Sequence, residues 1–222
     1  MENPDNLEFK KKFESVANIF DEISNPYTVS RRAKSLQQNV HGLLLEVGSA
    51  TGQVTCGIDA EVICTDISVL MCMEAKKNTK NVVCCDAEKL PFKENVFDAI
   101  IAAEIIYYLK HPDLFFMECN KTLKKRGKIH ISMVNPEMAI VDKLRAILRK
   151  IGFKRTYFDD GIKHYMKLEH LHSLLKKHNF EIISTNKEII FPFKNFDKVN
   201  CFLERTFFNR FGMFIFVKAQ LK

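Results

Sequence analysis

The sequence predicts an α/β fold, a mainly parallel β-sheet carrying helices on both faces. Three observations lead there. Five short apolar runs rich in β-branched residues, "GLLLEV", "EVICT", "NVVCC", "FDAIIAA" and "KIHISMV", recur between residues 42 and 134. Each is followed by a helix-like or turn-like stretch, the alternation expected of a sheet covered on both sides. The 222 residues, 46% of them hydrophobic and 27% charged, are enough for one domain with a sizeable core.

Taken in order, residues 7–23 place Leu7, Phe9, Phe13, Val16, Ile19, Phe20 and Ile23 at helical spacing and predict one helix. Asn25-Pro26 ends it, and a second helix is expected over 27–38. Residues 1–40 thus read as an N-terminal helical cap on a domain spanning 41–222. Five strand–helix units then fill about 42–151, with helices at 68–77 and at 112–124, the latter opening on Pro112. A helical pattern at 168–178, a strand-like "FEIISTNKEIIF" and a final "MFIFVKA" follow. With no long crossover helix between the last two strands, an antiparallel finish is expected.

Several function classes are disfavoured by composition. No run of 18 apolar residues appears, so no membrane span is expected. The first residues are charged and lack an apolar signal core, which predicts a cytoplasmic protein. The seven cysteines include no CxxC pair and read as buried free thiols. Vicinal Cys84 and Cys85 would face opposite sides of a strand, and no HExxH occurs, so no metal site is expected. Charge is uneven: residues 1–120 carry 12 Lys and Arg against 18 Asp and Glu, residues 121–222 carry 22 against 9. A solvated lysine-rich surface accounts for this, while an acidic substrate or membrane surface would use it.

The stretch with chemical content is "LLLEVGSATG". The first strand ends at Val47, and Gly48, Ala50 and Gly52 follow at two-residue spacing, with Glu46 just ahead. Ligands of open α/β sheets sit beyond the carboxyl ends of the strands, and a turn without side chains lets backbone approach them. A dinucleotide site would want glycine at position 53, where Gln53 stands, so a nicotinamide-dependent oxidoreductase is disfavoured. Asp66 and Asp86 end the next two strands. Either could simply cap a following helix, Asp66 before "ISVLM" and Asp86 before "AEKL".

Together with "ICTDIS", "VVCCDAEKLPFKENVFDAIIAAEIIYYL" and "HPDLFFMECNKTLKKRGKIHISMVNP", this turn resembles, in order over residues 40–136, the class I S-adenosylmethionine-dependent methyltransferases. The likeness is to the small-molecule branch with the ubiquinone- and menaquinone-biosynthesis enzymes. The resemblance implies a Rossmann-like seven-stranded sheet of order 3-2-1-4-5-7-6 with strand 7 antiparallel, and S-adenosyl-L-methionine as cofactor. It also implies roles. Glu46 would steady the turn and the cofactor's amino acid end; Gly48, Ser49, Ala50 and Gly52 would let backbone pass beside it. Asp66, with Ile67 beside it, would accept from the ribose hydroxyls. Asp86 would take the adenine amino group, Ala87 N–H the ring, and Ala103 would line the methionine portion. Tyr27 and Arg32 of the cap would close over the cofactor, Arg32 facing its carboxylate, with ordinary surface roles as the alternative. Ala50 departs from the family's glycine there, and the short stretch from Gly52 to Asp66 predicts a stunted first helix.

Methyl transfer needs alignment and sometimes a base. Candidates near the fourth strand's exit are Glu104, Tyr107, Tyr108 and His111, with His164 of "GIKHYM" as a loop candidate; His111 could equally just flank the helix start. The fourth strand ends "AAEIIYY" rather than in the Asn/Asp-Pro-Pro-Tyr/Phe of nucleic-acid amino-methyltransferases, so a small-molecule acceptor is expected. Residues 191–216 hold nine of the nineteen phenylalanines. Core and cap packing is the plainer account of them. The alternative is a lid over 191–211, an apolar or lipid-like acceptor, and contact with an anionic membrane surface through the interleaved basic residues. A cofactor-binding partner subunit without activity is a further alternative; its sign would be loss of the cofactor acids, which are present.

Overall fold

The computed structural model describes residues 4–138 and 165–222. Among these, seven strands form one sheet: β1 (Leu43–Val47), β2 (Glu61–Asp66), β3 (Asn81–Cys84), β4 (Phe97–Ala103), β5 (Leu123–Val134), β6 (Phe180–Glu188) and β7 (Phe214–Leu221). Their order is β3-β2-β1-β4-β5-β7-β6. β3 through β5 pair in parallel, and β7 is antiparallel to both β5 and β6. This is the expected Rossmann-like topology. Two antiparallel steps return β6 to the direction of β5, so the loops leaving β1 to β6 all emerge at one edge of the sheet.

Burial explains the legible strands. β4, "FDAIIAA", is covered on both faces, and five of its seven residues are buried. Ile100 joins Phe115, Phe116 and Phe180 in one core cluster. Its neighbour Ile101 joins Leu36, Val54 and Phe216 in another. Burying a ring such as Phe116 contributes about 2–3 kcal/mol.

The helices depart from expectation in three places. First, the helix expected over 7–23 is broken into α1 (Pro4–Glu14), a 3₁₀ turn (Ala17–Ile19) and α2 (Phe20–Ile23). At the break, Ser15 Oγ donates to the Lys12 carbonyl at 2.7 Å, a local bond that competes with helix continuation. Second, no helix forms between Gly52 and β2; residues 53–60 are turns and bends. Five-residue β1 spans about 17 Å, and eight residues as helix would rise only about 12 Å, too little to return to the start of β2. Third, β3 is also followed by turns, so 42–138 holds fewer strand–helix units than expected. The end of that expected range, 139–151, lies outside the described residues.

The remaining helices form where their caps place them. In α3 (Pro26–Leu36), Asn25 Oδ1 accepts from Tyr27 N at 3.0 Å and Thr28 N at 3.3 Å, with Pro26 at the first position. In α4 (Val69–Ala75), Ser68 Oγ accepts from Met71 N at 3.1 Å. α5 (Pro112–Thr122) runs straight into β5, which starts five residues earlier than its apolar run because the pairing with β4 shifts register between Phe97 and Ala99. α6 (Leu168–Lys177) precedes β6, and α7 (Asp197–Leu203) lies in the segment joining β6 to β7.

That segment overturns the packing expectation for the phenylalanines. Phe191, Phe193, Phe196, Phe202, Phe207, Phe208 and Phe211 are exposed, and only Phe216 of the nine is buried. Their sequence is apolar, but the fold leaves them open to solvent.

Candidate active site

The strand ends meet at the shared edge. After β1 the chain turns through Gly48 at φ 66° and Ala50 at φ 48°. Ser49 N–H donates to the Thr65 carbonyl at 2.8 Å, fixing the turn to β2, and Gly52 N–H closes it on Ser49 at 2.8 Å. Left-handed backbone is free for glycine but costs an L-residue about 1–2 kcal/mol. Ala50 is held there by its N–H, which donates to Asp66 Oδ2 at 2.9 Å.

Asp66 Oδ1 accepts from Ser68 N–H at 2.9 Å. The helix cap is Ser68, so Asp66 is held between the turn and the start of α4 and still borders the cavity described below. Burial raises its pKa above the usual carboxylate range. Asp86 Oδ1 accepts from Glu88 N–H at 2.9 Å in a turn that no helix follows. Glu46 is fully buried, its Oε2 accepting from Thr55 Oγ1 and lying 3.6 Å from Cys64 Sγ. Burial pushes its carboxyl up to about 7.

A second polar group sits at the exit of β4. Glu104, at φ 58°, accepts from Ser132 Oγ at 2.6 Å on Oε1 and from Tyr107 Oη at 2.7 Å on Oε2. Arg32 Nη1 lies 3.9 Å from Glu104 Oε1, and the guanidinium stands 5.2 Å over the Phe214 ring. Arg32 Nε is buried without a hydrogen-bond partner among the described residues.

These groups border one cavity of about 1100 Å³. Gly48, Asp66 and Asp86 line it on the strand side, and Phe9, Phe13 and Phe20 from the helical cap line it opposite. Tyr108 packs edge-on against Phe9 at 5.1 Å and Phe13 at 5.3 Å, joining the cap to the β4 exit. The cap is also fastened to the turn, Thr51 Oγ1 donating to Asp21 Oδ1 at 2.6 Å.

Of the residues singled out from sequence, Glu46, Gly48, Ser49, Ala50, Asp66, Ile67, Asp86, Ala87, Ala103, Glu104, Tyr108, Tyr27 and Arg32 all border this cavity. Gly52 and His111 are not among its lining residues. Gly52 serves the turn, and exposed His111 begins α5 with its N–H donating to Glu88 Oε1 at 2.7 Å. His164 lies outside the described residues. Sequence reasoning placed Phe9 and Phe13 on the helical cap but did not single them out as the cavity's wall. It missed Thr55, Cys64 and Ser132, which carry no local signal.

The family model described as methyltransferase domain matches residues 45–131, the span that holds the turn and the acids ending β2, β3 and β4. A ubiquinone/menaquinone biosynthesis C-methyltransferase of Burkholderia mallei is 28% identical over 151 residues, 56% of this chain and 62% of that protein. Residues 45–131 are a class I S-adenosylmethionine-dependent methyltransferase domain. This methyltransferase is also 26% identical over 193 residues to an uncharacterised protein of Methanocaldococcus jannaschii, covering 86% of this chain and 88% of that one. The crystal structure of an S-adenosylmethionine-dependent methyltransferase of Thermotoga maritima shares its fold at a TM-score of 0.73 and 18% identity, over 96% of this chain and 100% of that one.

The residues present fit the cofactor of this class, S-adenosylmethionine. At Gly48 an added Cβ would lie 2.6 Å from Ile105 Cδ1, so the turn has room for backbone alone. The buried, unpartnered Arg32 Nε offers a donor beside the cavity. Among the described residues, no helix is long and apolar enough to cross a membrane.

Proposed function

We propose that this methyltransferase transfers a methyl group to a small, largely apolar acceptor. The observation that carries the reading is the single cavity bordered both by three acid-bearing strand ends and by a wall of aromatic rings. Bound S-adenosylmethionine supplies a methyl group on a sulfonium leaving group. The chain's part is to bind, align and exclude water.

In this reading Gly48, Ser49 and Ala50 present backbone to the cofactor, with Glu46 beneath them and Gly52 closing the turn. Each Asp66 oxygen has a second lone pair beyond its backbone bond, which suits the two ribose hydroxyls. Asp86 and Ala87 N–H take the adenine edge, and Ile67 and Ala103 pack beside it. Arg32 offers Nε to the carboxylate end, and Tyr27 covers it from α3. The acceptor lies against Phe9, Phe13 and Tyr108. Glu104 is the group that orients an acceptor hydroxyl or amine and takes its proton, since its carboxylate borders the cavity and is aligned by Ser132 and Tyr107. His111, outside the lining, is assigned no role.

The test is calorimetric titration with S-adenosylhomocysteine, repeated on Asp66→Ala and with NAD as control. The chain contains no tryptophan, so heat is a better readout than intrinsic fluorescence. Micromolar binding lost in the variant, with NAD silent, supports the reading and justifies screening apolar acceptors. Binding that survives Asp66→Ala would remove the proposed ribose contact.

A further inference from the structure

The segment between β6 and β7 stands at the same sheet edge as the cavity, yet its rings are open to solvent. Phe202 is 68% exposed and Phe207 72%. The rings form two contact groups, Phe191 and Phe193 around Phe196, and Phe207 and Phe211 around Phe208. Exposed aromatic groups of this extent mark a surface made to meet another phase or partner.

Charge says which. Residues 191–211 contain two acids, Asp197 and Glu204, and both are engaged by Arg31 of α3, at 2.8 and 2.7 Å. The four cations, Lys194, Lys198, Arg205 and Arg210, are all exposed. Arg210 lies over the Phe207 and Phe211 rings at 5.1 and 5.2 Å, so charge and rings share one surface. Cations interleaved with exposed rings, the segment's two acids being drawn to Arg31, match the polar–apolar boundary of an anionic bilayer. An acidic protein surface would satisfy the cations but not the rings. Pro192, Phe193, Lys194 and Asn195 also line the cavity, so this surface adjoins the place where an apolar ligand would enter.

We propose that residues 191–211 dock the protein on an anionic lipid surface, the rings entering the headgroup layer and the four cations facing lipid phosphates. Docking involves no methyl transfer, so its failure would leave the methyltransferase reading standing, and the converse holds too.

The experiment is flotation of the full chain with vesicles of phosphatidylcholine alone or mixed with phosphatidylglycerol, at low and high salt. The protein should float with the mixed vesicles, stay behind with the neutral ones, and be released by salt. The double variant Phe202→Ser, Phe207→Ser should bind about tenfold more weakly or worse, as should Lys198→Glu with Arg210→Glu. All four side chains are exposed, and circular dichroism checks that the fold is kept. In a chain without tryptophan, Phe207→Trp gives a single reporter whose emission should shift to the blue on the mixed vesicles. Absence of flotation, equal binding to both vesicle types, or binding unchanged in both double variants would overturn the proposal. So would self-association that the phenylalanine variant abolishes without any vesicle binding.

Discussion

The backbone N–H of Ala50 donates to Asp66 Oδ2 at 2.9 Å, so the turn after β1 and the acid ending β2 position one another. The same carboxylate receives Ser68 N–H on its other oxygen. One side chain therefore sets both the left-handed turn and the start of α4, and it does so at the edge of the cavity.

Replacing Asp66 with asparagine separates shape from charge. The amide keeps the volume but turns one oxygen into a donor, which must then face the N–H of Ala50 or of Ser68. Leaving one of these unpaired should lower stability by roughly 1–3 kcal/mol. Urea unfolding measures that loss, and S-adenosylhomocysteine affinity should fall with it by at least about tenfold, one lost charge-assisted hydrogen bond. Affinity unchanged in a destabilised protein would make Asp66 purely structural.

The two glycines of the turn should behave differently. Gly48→Ala and Gly52→Ala each place an L-residue at positive φ, 66° and 77°, with a strain of about 1–2 kcal/mol. At position 52 the nearest atom to the new methyl is Ala75 Cβ at 3.8 Å, ordinary contact, whereas at position 48 the methyl collides with Ile105 beside the cavity. Gly48→Ala should therefore lose more stability than Gly52→Ala on thermal unfolding, and it should lose most of its cofactor affinity where Gly52→Ala keeps it. Equal affinities would mean that the room at Gly48 is not used by a ligand.

How much of this was legible in the sequence follows from what each feature rests on. β4 could be read to its ends because it is buried on both faces and so unbroken in composition. The acids ending β2 and β3 were legible for the same reason, as the first polar residues after apolar runs. The break after α1 was not, because the apolar period continues through Ser15 and Val16 while the backbone does not. The start of β5 is hidden under "KKRG", polar residues that the register with β4 skips between Leu123 and Lys128. The exposure of Phe202 and Phe207 was misread because composition records that a ring is apolar, not whether anything covers it. Least visible were contacts between distant residues, such as Arg31 with Asp197 and Glu204, which no local spacing encodes.

That contact gives a prediction of its own. Arg31 Nη1 donates to Asp197 Oδ1 at 2.8 Å and Nη2 to Glu204 Oε2 at 2.7 Å, with Glu188 Oε2 at 3.8 Å. Arg31→Met keeps much of the side chain's length but takes the cation from partly buried Glu204 and leaves Glu188 to Lys218. A loss of roughly 2–3 kcal/mol is expected, concentrated in the link between α3 and residues 191–211. Local opening of that size should speed tryptic cleavage after Lys194, Lys198 and Arg205 by on the order of 30-fold or more. Cleavage unchanged, with only the global midpoint lowered, would place the stabilisation elsewhere.

Two buried groups of opposite kind should shape the pH dependence of stability. Burial raises Glu46 from 4.5 to about 7, with Asp66 nearby adding to the effect. Between those values the folded protein holds a proton that the unfolded chain has lost, so this contribution is complete below pH 4.5 and disappears as pH rises towards 7. Burial lowers His130 from 6.5 to about 4; Lys218 and Lys128 assist, against the hydrogen bond of Nδ1 to the Leu36 carbonyl. Here the unfolded chain holds the extra proton, so this contribution is complete above pH 6.5 and is lost as pH falls towards 4. Each is on the order of 3 kcal/mol, and over pH 4.5–6.5 they oppose one another, which predicts a shallow wild-type profile. Glu46→Gln should uncover stability rising with pH across that window, and His130→Gln stability falling with it. The slope of the urea midpoint is the readout, because either substitution also changes packing by a pH-independent amount. Parallel profiles for wild type and Glu46→Gln would show that Glu46 titrates alike in the folded and unfolded chain.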